Sequence, residues 1–241
     1  MALVELGVQP YDAIYDLQRT LVVMRQQDII GDTVLLLEHA PVYTLGRRAD
    51  AAHVLASEEV LAREGIAVRR IERGGDVTYH GPGQLVGYPI LDMHSHNLGA
   101  SDYMHRIEDV VAATCADFGI RVHRREKVIG LWAGENKIAA LGVRIKRGVT
   151  FHGFALNVDT NMRHWSMIVP CGITDGGVTS MALELDRAPP MSTVRARVAH
   201  HMGRLFNVDL VPTDLETLSA LAAKPDLADA VTRIAAHKES I

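Results

Sequence analysis

The chain is predicted to fold as an α+β protein, with a mixed, largely antiparallel sheet and flanking helices. Three observations lead there: helical and strand-like segments mix without a regular βαβ beat, glycine-rich stretches join strand to strand, and two long strand-like runs face each other across a short turn. The length of 241 residues, with 48% apolar, suffices for one full core or a core with a small appendage.

Taken in order, Ile14, Leu17, Leu21 and Met24 fall on one face of a helix within Pro10 to Ile30. Thr33 to Glu38 is a continuous apolar run ended by His39-Ala40-Pro41, read as a buried strand leading into a loop. Ser57 caps a short helix through Arg63, and Ile66 to Glu72 reads as a strand. After RGGDVTYHGPGQ comes another strand, Leu85 to Leu91. Ser101 and Asp102 precede an amphipathic helix through Phe118 that carries Ile107, Val110, Val111, Thr114 and Cys115 towards the core. Lys137 to Ile145 and Val149 to Val158 flank Lys146-Arg147-Gly148 and read as an antiparallel hairpin. An irregular segment then holds Pro170-Cys171-Gly172, and Ser192 to Phe206 forms a further amphipathic helix. The expected division is a catalytic domain at 1–206 and a small helical tail at 207–241, where the composition turns to Ala, Leu and Asp with Pro212 and Pro225.

Composition narrows the function. A net charge of -4 with scattered charges offers no basic stripe for phosphates, so nucleic acid is not an expected partner. No apolar run approaches the roughly 18 to 20 residues of a membrane span, and the first residues lack a basic segment followed by an apolar stretch, so a soluble protein of the cytoplasm, without membrane contact, is expected. Two cysteines cannot build a disulfide framework or a cysteine-based zinc site, and each is judged as a thiol. Cys115 lies on the core side of its helix and reads as packing.

Cys171 sits on a loop between Pro170, which fixes one backbone angle, and Gly172, which leaves the other side uncrowded. That setting suits a nucleophile, and equally an inert structural turn. A free thiol, with a pKa of about 8.5, needs a positive neighbour to be ionised near pH 7. Arg73 to Gln84 packs four glycines, one proline and one histidine into twelve positions, which reads as a ligand-binding loop. Gly81, Gly83 and Gly87 do not make a dinucleotide fingerprint, because Pro82 intervenes and a strand follows in place of the required helix. The pairs His94 with His96 and His200 with His201 lack a third ligand at a sensible spacing and read as surface histidines.

Five segments carry a resemblance: LEHAPVYTLG at 37–46, RGGDVTYHGPGQLVGYPI at 73–90, KIAALGVRI at 137–145, HGFALNV at 152–158 and PCGI at 170–173. Together they resemble the lipoyl(octanoyl) transferases, octanoyl-[acyl-carrier-protein]:protein N-octanoyltransferases, from the first helix to about residue 206. The resemblance implies a fold shared with biotin and lipoate ligases, an acyl-cysteine intermediate on Cys171 and activation of that cysteine by Lys137. It implies acyl binding by Arg73, Gly74, Gly75, Asp76, Val77, Thr78, Tyr79 and His80, by Ala140, Leu141 and Gly142, and by Gly153, Phe154 and Ala155. No cofactor is implied, neither ATP nor a metal. The implied partners are octanoyl-acyl carrier protein as donor, and as acceptors the lipoyl domains of 2-oxoacid dehydrogenase complexes and the glycine cleavage H protein. Family members often have Asn before PCG, where this chain has Val169. The rival readings are an ATP-dependent lipoate or biotin ligase, a non-catalytic acyl-binding module and a cysteine hydrolase.

Overall fold

The structure is a computed structural model that describes residues 1–126, 128–169 and 176–222. It opens with a strand, β1 (Ala2–Gln9), where sequence periodicity begins with a helix; α1 (Tyr11–Gln26) follows directly. The missed strand carries its own signal in the alternation of ALVELGVQ, with Val4, Leu6 and Gln9 buried and Glu5 exposed. Next come β2 (Thr33–His39), β3 (Val42–Leu45), α2 (Glu58–Arg63), β4 (Ala67–Arg70), β5 (Val77–His80) and β6 (Gln84–Ile90). The chain continues with α3 (Ala100–Asp117), β7 (His123–Arg125), β8 (Val128–Ala133), β9 (Asn136–Lys146) and β10 (Val149–Asn157). Last are α4 (Met162–Trp165), α5 (Met181–Glu184), α6 (Met191–Phe206), β11 (Val211–Pro212) and α7 (Leu215–Ala222).

Eight strands form one sheet in the order β11-β1-β2-β6-β10-β9-β8-β7, and β4-β3-β5 form a second, smaller one. In the large sheet β1 runs parallel to β2 and to β11, and the other pairings are antiparallel. The sheet is therefore mixed and largely antiparallel, as the sequence predicts. One of its faces packs on α3 and α6 through Ile107, Val111, Val194, Val198 and Phe206, among others. The opposite face packs on α1 through Ile14, Leu17 and Leu21. Leu215 and Leu218 of α7 join that second cluster, and β11 extends the sheet edge.

Local chemistry explains the boundaries. Ser57 Oγ accepts the Val60 N–H and starts α2 as its sequence indicates. The β9–β10 hairpin turns through Arg147 and Gly148, both at positive φ, the combination that matches the twist of two adjacent strands. The glycine-rich segment is not loop throughout: its middle, VTYH, is β5, paired with β3. Two histidines read as surface residues are not exposed. His201 is buried with Nε2 2.8 Å from Asp117, and His96 Nε2 lies 2.6 Å from Asp32. Each has a carboxylate from another element beside it, a partner that helical or loop position cannot reveal.

Candidate active site

A cavity of about 500 Å³ opens between the large sheet and the segment that leads into β5. Its floor is written in the register of the central hairpin. Gly142 faces Gly153 and Ala140 faces Ala155, so four small residues lie on one side of two neighbouring strands. A Cβ on Gly153 would collide with the Gly87 carbonyl and lie 2.8 Å from Pro89 Cδ, so β6 can approach only a glycine there. Leu141 and Phe154 border the same space, with Phe154 packed over Gly87 of β6.

The glycine-rich segment forms the facing wall. Arg73 is 6% exposed, yet its guanidinium is held in place: Nη2 donates to Thr44 Oγ1 at 2.9 Å and Nη1 to the Gly74 carbonyl at 2.9 Å. Gly74, Gly75, Val77, Thr78 and His80 face the cavity with it. Asp76 and Tyr79 do not border this space. The Asp76 carboxylate caps the Val77 N–H at 2.7 Å and faces His53, while the Tyr79 hydroxyl meets His164 Nδ1 at 2.8 Å in the core under the small sheet.

Lys137 stands at the head of β9 and is only 7% exposed. Its Nζ lies 5.1 Å from the centre of the Trp132 ring, a placement that favours a cation over the ring face. The lysine backbone also organises its surroundings. Its N–H donates to the Gly177 carbonyl and its carbonyl accepts from Thr179, both at 2.9 Å. On the other side of residues 170–175, Val169 donates to the His53 carbonyl at 2.8 Å. Cys171 itself lies outside the described residues, as do Pro170, Gly172 and Ile173.

A cluster of aromatic and imidazole rings closes part of the cavity. His80 lies 5.7 Å from His39 and 6.2 Å from Tyr11, ring centre to ring centre. Burial pushes the His80 pKa down to about 4, and the Arg73 charge adds to that against a hydrogen bond to Gln84 Oε1 that opposes it. His39 and His152 are pushed down to about 3, again chiefly by burial. All three imidazoles are neutral near pH 7. His39 has both ring nitrogens occupied, by the Gln9 carbonyl at 3.2 Å and the Tyr88 hydroxyl at 2.8 Å, which fits a satisfied internal histidine.

Cys115, by contrast, is fully buried among Ile107, Val111 and their neighbours, and burial pushes its thiol up to about 12. It is a packing residue.

Residues 10–203 match the family described as the lipoyl protein ligase A/B catalytic domain. A protein of Koribacter versatilis named octanoyltransferase is 45% identical over 226 residues, covering 92% of this chain and 89% of its own. Another, from Acidobacterium capsulatum, is 48% identical over 219 residues, covering 85% of this chain and 89% of its own. The chain belongs to the lipoyl protein ligase A/B catalytic-domain family.

Among solved structures with this family's fold, a lipoate-protein ligase A bound with ATP aligns with a TM-score of 0.74 at 15% identity, covering 92% of each chain. A biotin protein ligase from Aquifex aeolicus in complex with biotin and ATP aligns at 0.52 with 12% identity, covering 86% of this chain and 70% of that one. These likenesses establish the fold. The lipoyl ligase A/B cavity here also uses residues that the sequence patterns did not single out: Tyr11, Arg48, Tyr88, Met104, Ile129 and Trp165. Tyr11 and Tyr88 fall on ordinary helix and strand positions, and only the fold brings them together. Gly130 and Trp132 left a faint trace, a glycine and a large aromatic two residues apart in an apolar strand.

Proposed function

We propose that the chain is an octanoyltransferase of lipoate biosynthesis that moves an octanoyl group from an acyl-carrier-protein thioester to a lysine of lipoyl domains through a thioester on Cys171. The observation that carries this reading is the burial of Lys137 at the head of a cavity floored by Ala140, Gly142, Gly153 and Ala155. A narrow apolar slot suits an acyl chain, since each buried methylene contributes about 0.8 kcal/mol. A buried lysine whose backbone is bonded to Gly177 and Thr179, on the segment that follows Cys171 in the chain, suits activation of a thiol. The names of the relatives support the same activity.

In the first half-reaction the Cys171 thiolate attacks the thioester carbonyl, the acyl group passes to Cys171 Sγ, and the departing phosphopantetheine thiolate takes a proton from Lys137. In the second, the amine of a lipoyl-domain lysine attacks the Cys171 thioester. The C–S bond breaks as the C–N bond forms, and the proton lost by the amine returns through Lys137 to restore the starting state. Thioester to amide is downhill, so the reaction runs without ATP. The acceptors in this reading are the lipoyl domains of 2-oxoacid dehydrogenase complexes and the glycine cleavage H protein, and the reaction is cytoplasmic. Among the described residues no helix is long and apolar enough to cross a membrane.

The test is intact-mass measurement after incubation with octanoyl-acyl carrier protein. One octanoyl group is expected, removable by hydroxylamine, absent from Cys171→Ala and retained in Cys115→Ala. Labelling at Cys115, or transfer that requires ATP, overturns the proposal.

A further inference from the structure

The cavity, apolar along its floor, is bordered at one end by hydrogen-bonding groups that no described residue satisfies. Tyr11 is 5% exposed and lines the cavity, and among the described residues its hydroxyl makes no hydrogen bond. Burial keeps that phenol protonated near pH 7, so it offers an O–H. His80 is 8% exposed and stacks on Tyr11, with ring centres 6.2 Å apart and planes 11° from parallel. Its Nδ1 lies 2.7 Å from Gln84 Oε1. The Gln84 amide is fixed in that sense, because its Nε2 donates to the Tyr79 carbonyl at 3.1 Å and to Asn157 Oδ1 at 2.9 Å. An amide oxygen accepts only, so the His80 proton sits on Nδ1 and Nε2 keeps a lone pair. Among the described residues that nitrogen has no partner. His152, 2% exposed and on the same cavity, adds a third such atom, a buried Nε2 without a hydrogen bond.

These rings form one group, remote from Lys137 along the strands. His152 faces Val143, six positions beyond Lys137 on β9 and about 20 Å away at roughly 3.3 Å per residue. From His152 the ring contacts run through Tyr88 and His39 to His80 and Tyr11. An octanoyl chain spans seven carbon–carbon bonds, about 9 Å when extended, and ends in a methyl group. It satisfies none of the three atoms, although buried donors and acceptors are costly to leave without partners. A group that both donates and accepts meets the need of the Tyr11 and His80 pair. A hydroxyl does so, giving its hydrogen to His80 Nε2 and receiving the Tyr11 O–H. A carboxylate has no hydrogen for Nε2, and an ammonium has no lone pair for the phenol.

We infer that this end of the cavity is a binding subsite for a chain-terminal hydroxyl, held by His80 Nε2 and the Tyr11 hydroxyl, so that the protein takes ω-hydroxy fatty acyl chains. The inference rests on the proposed reading of the cavity as an acyl site and adds a substrate class to it. A free ω-hydroxy fatty acid suffices to probe the subsite, because its carboxylate suits the Lys137 ammonium and its binding needs neither a carrier protein nor a reacting thiol.

The test is calorimetric titration of the full chain with ω-hydroxydodecanoic and dodecanoic acids, and with the ω-hydroxydecanoic and decanoic pair. The readout is the ratio of the two affinities within one protein, in which a general loss of fit cancels. A hydroxyl buried without a partner lowers affinity by at least about tenfold. Expected instead is an ω-hydroxy acid that binds at least as tightly as its plain counterpart at one or both lengths. Tyr11→Phe keeps the stacked ring and removes only the hydroxyl, and is expected to shift the ratio roughly tenfold against the hydroxylated acid. A wild-type ratio tenfold or more against the hydroxylated acid at both lengths, or a ratio unmoved by Tyr11→Phe, overturns the inference. Failure of all four acids to bind overturns it as well. The proposed function is decided separately, by the mass of the octanoyl adduct on Cys171.

Discussion

The side chain of Lys137 occupies the space that a Cβ on residue 130 would need. Gly130 lies on β8, the neighbouring strand, and an added Cβ there would overlap Lys137 Cε, lie 3.1 Å from Nζ and 2.8 Å from the Ala139 carbonyl oxygen. Its φ of +143° is itself a conformation that L side chains rarely adopt. Together with Trp132, which lies under the ammonium, Gly130 sets where the lysine points.

Gly130→Ala therefore has two effects. The strained backbone lowers stability by about 1 to 3 kcal/mol, read as a lower melting temperature. The displaced ammonium lowers turnover by at least tenfold at a temperature where the variant is still folded. Turnover equal to wild type in the folded variant would show that the placement of Lys137 is not set by residue 130.

Lys137 has two jobs in the proposed mechanism, and substitutions distinguish them. Arginine keeps the charge but does not give up its proton in a protein, whereas methionine loses both properties. Lys137→Arg is expected to preserve rapid, pH-dependent alkylation of Cys171 while turnover falls roughly 10²- to 10⁴-fold. Lys137→Met is expected to lose both. Near-wild-type turnover of the arginine variant, with the thiolate pKa unchanged, would leave the lysine as an electrostatic partner only; a structure of the variant checks that the wider guanidinium has not shifted the strand.

The two glycines of the floor are expected to respond differently. A Cβ on Gly142 would meet Arg73 Cδ at 3.4 Å, ordinary van der Waals contact, so Gly142→Ala folds normally and narrows the slot. Its kcat/KM should fall more for decanoyl than for hexanoyl thioesters. Gly153→Ala meets the backbone of β6, where nothing flexible can yield, and should lower the melting temperature by several degrees. Melting curves of the two variants, with kcat/KM against chain length, check both statements.

Acid should weaken the fold before the carboxylates titrate. His39, His80 and His152 are neutral in the folded chain down to pKa values of about 3, 4 and 3, whereas in the unfolded chain each titrates near 6.5. Below about pH 6.5 the unfolded state thus binds more protons, stability falls as pH falls, and above that pH these rings contribute no slope. The loss is roughly 2 kcal/mol per ring at pH 5, so the melting temperature should drop by about 10 °C between pH 7.5 and pH 5. His39→Gln should reduce that drop by about a third. An unchanged melting temperature across this range would mean that the rings are hydrated or charged in the folded state.

The contrast between Cys115 and Lys137 shows what the sequence made legible. Cys115 falls on an apolar stripe with helical period, so its burial follows from position along one helix. Lys137 has no such pattern, and alone it reads as a solvated lysine at a strand start; what buries it is β8, the ring of Trp132 and residues 176–179, all remote from the spacing of β9. The hairpin of β9 and β10 was likewise legible, because its turn and its alternation are local. The cluster of Tyr11, His39, His80 and Tyr88 was not, since four separate elements contribute one ring each. β1 is hard to read from the sequence for a related reason. A short alternating run at a chain start is a weak signal until a parallel partner, β2, pairs with it.

If the acyl chain lies in this cavity as proposed, the facing pair Gly142 and Gly153 limits how acyl preference can change. Where a binding site is walled by side chains, one substitution can enlarge it by trimming an atom or two. Here the floor is main chain at both positions, and main chain cannot be trimmed. A substitution at Gly142 moves selectivity in one direction only, towards shorter chains, and one at Gly153 is opposed by the backbone of β6. An engineered variant that accepts longer acyl groups has to recruit its extra room from side chains elsewhere in the lining, among them Val77, Thr78, Met104 and Arg73. Of these, Arg73 is the least replaceable, because its guanidinium also braces Thr44 and Gly74. Selectivity for longer chains is therefore expected to change at such side chains, with the glycine pair left in place.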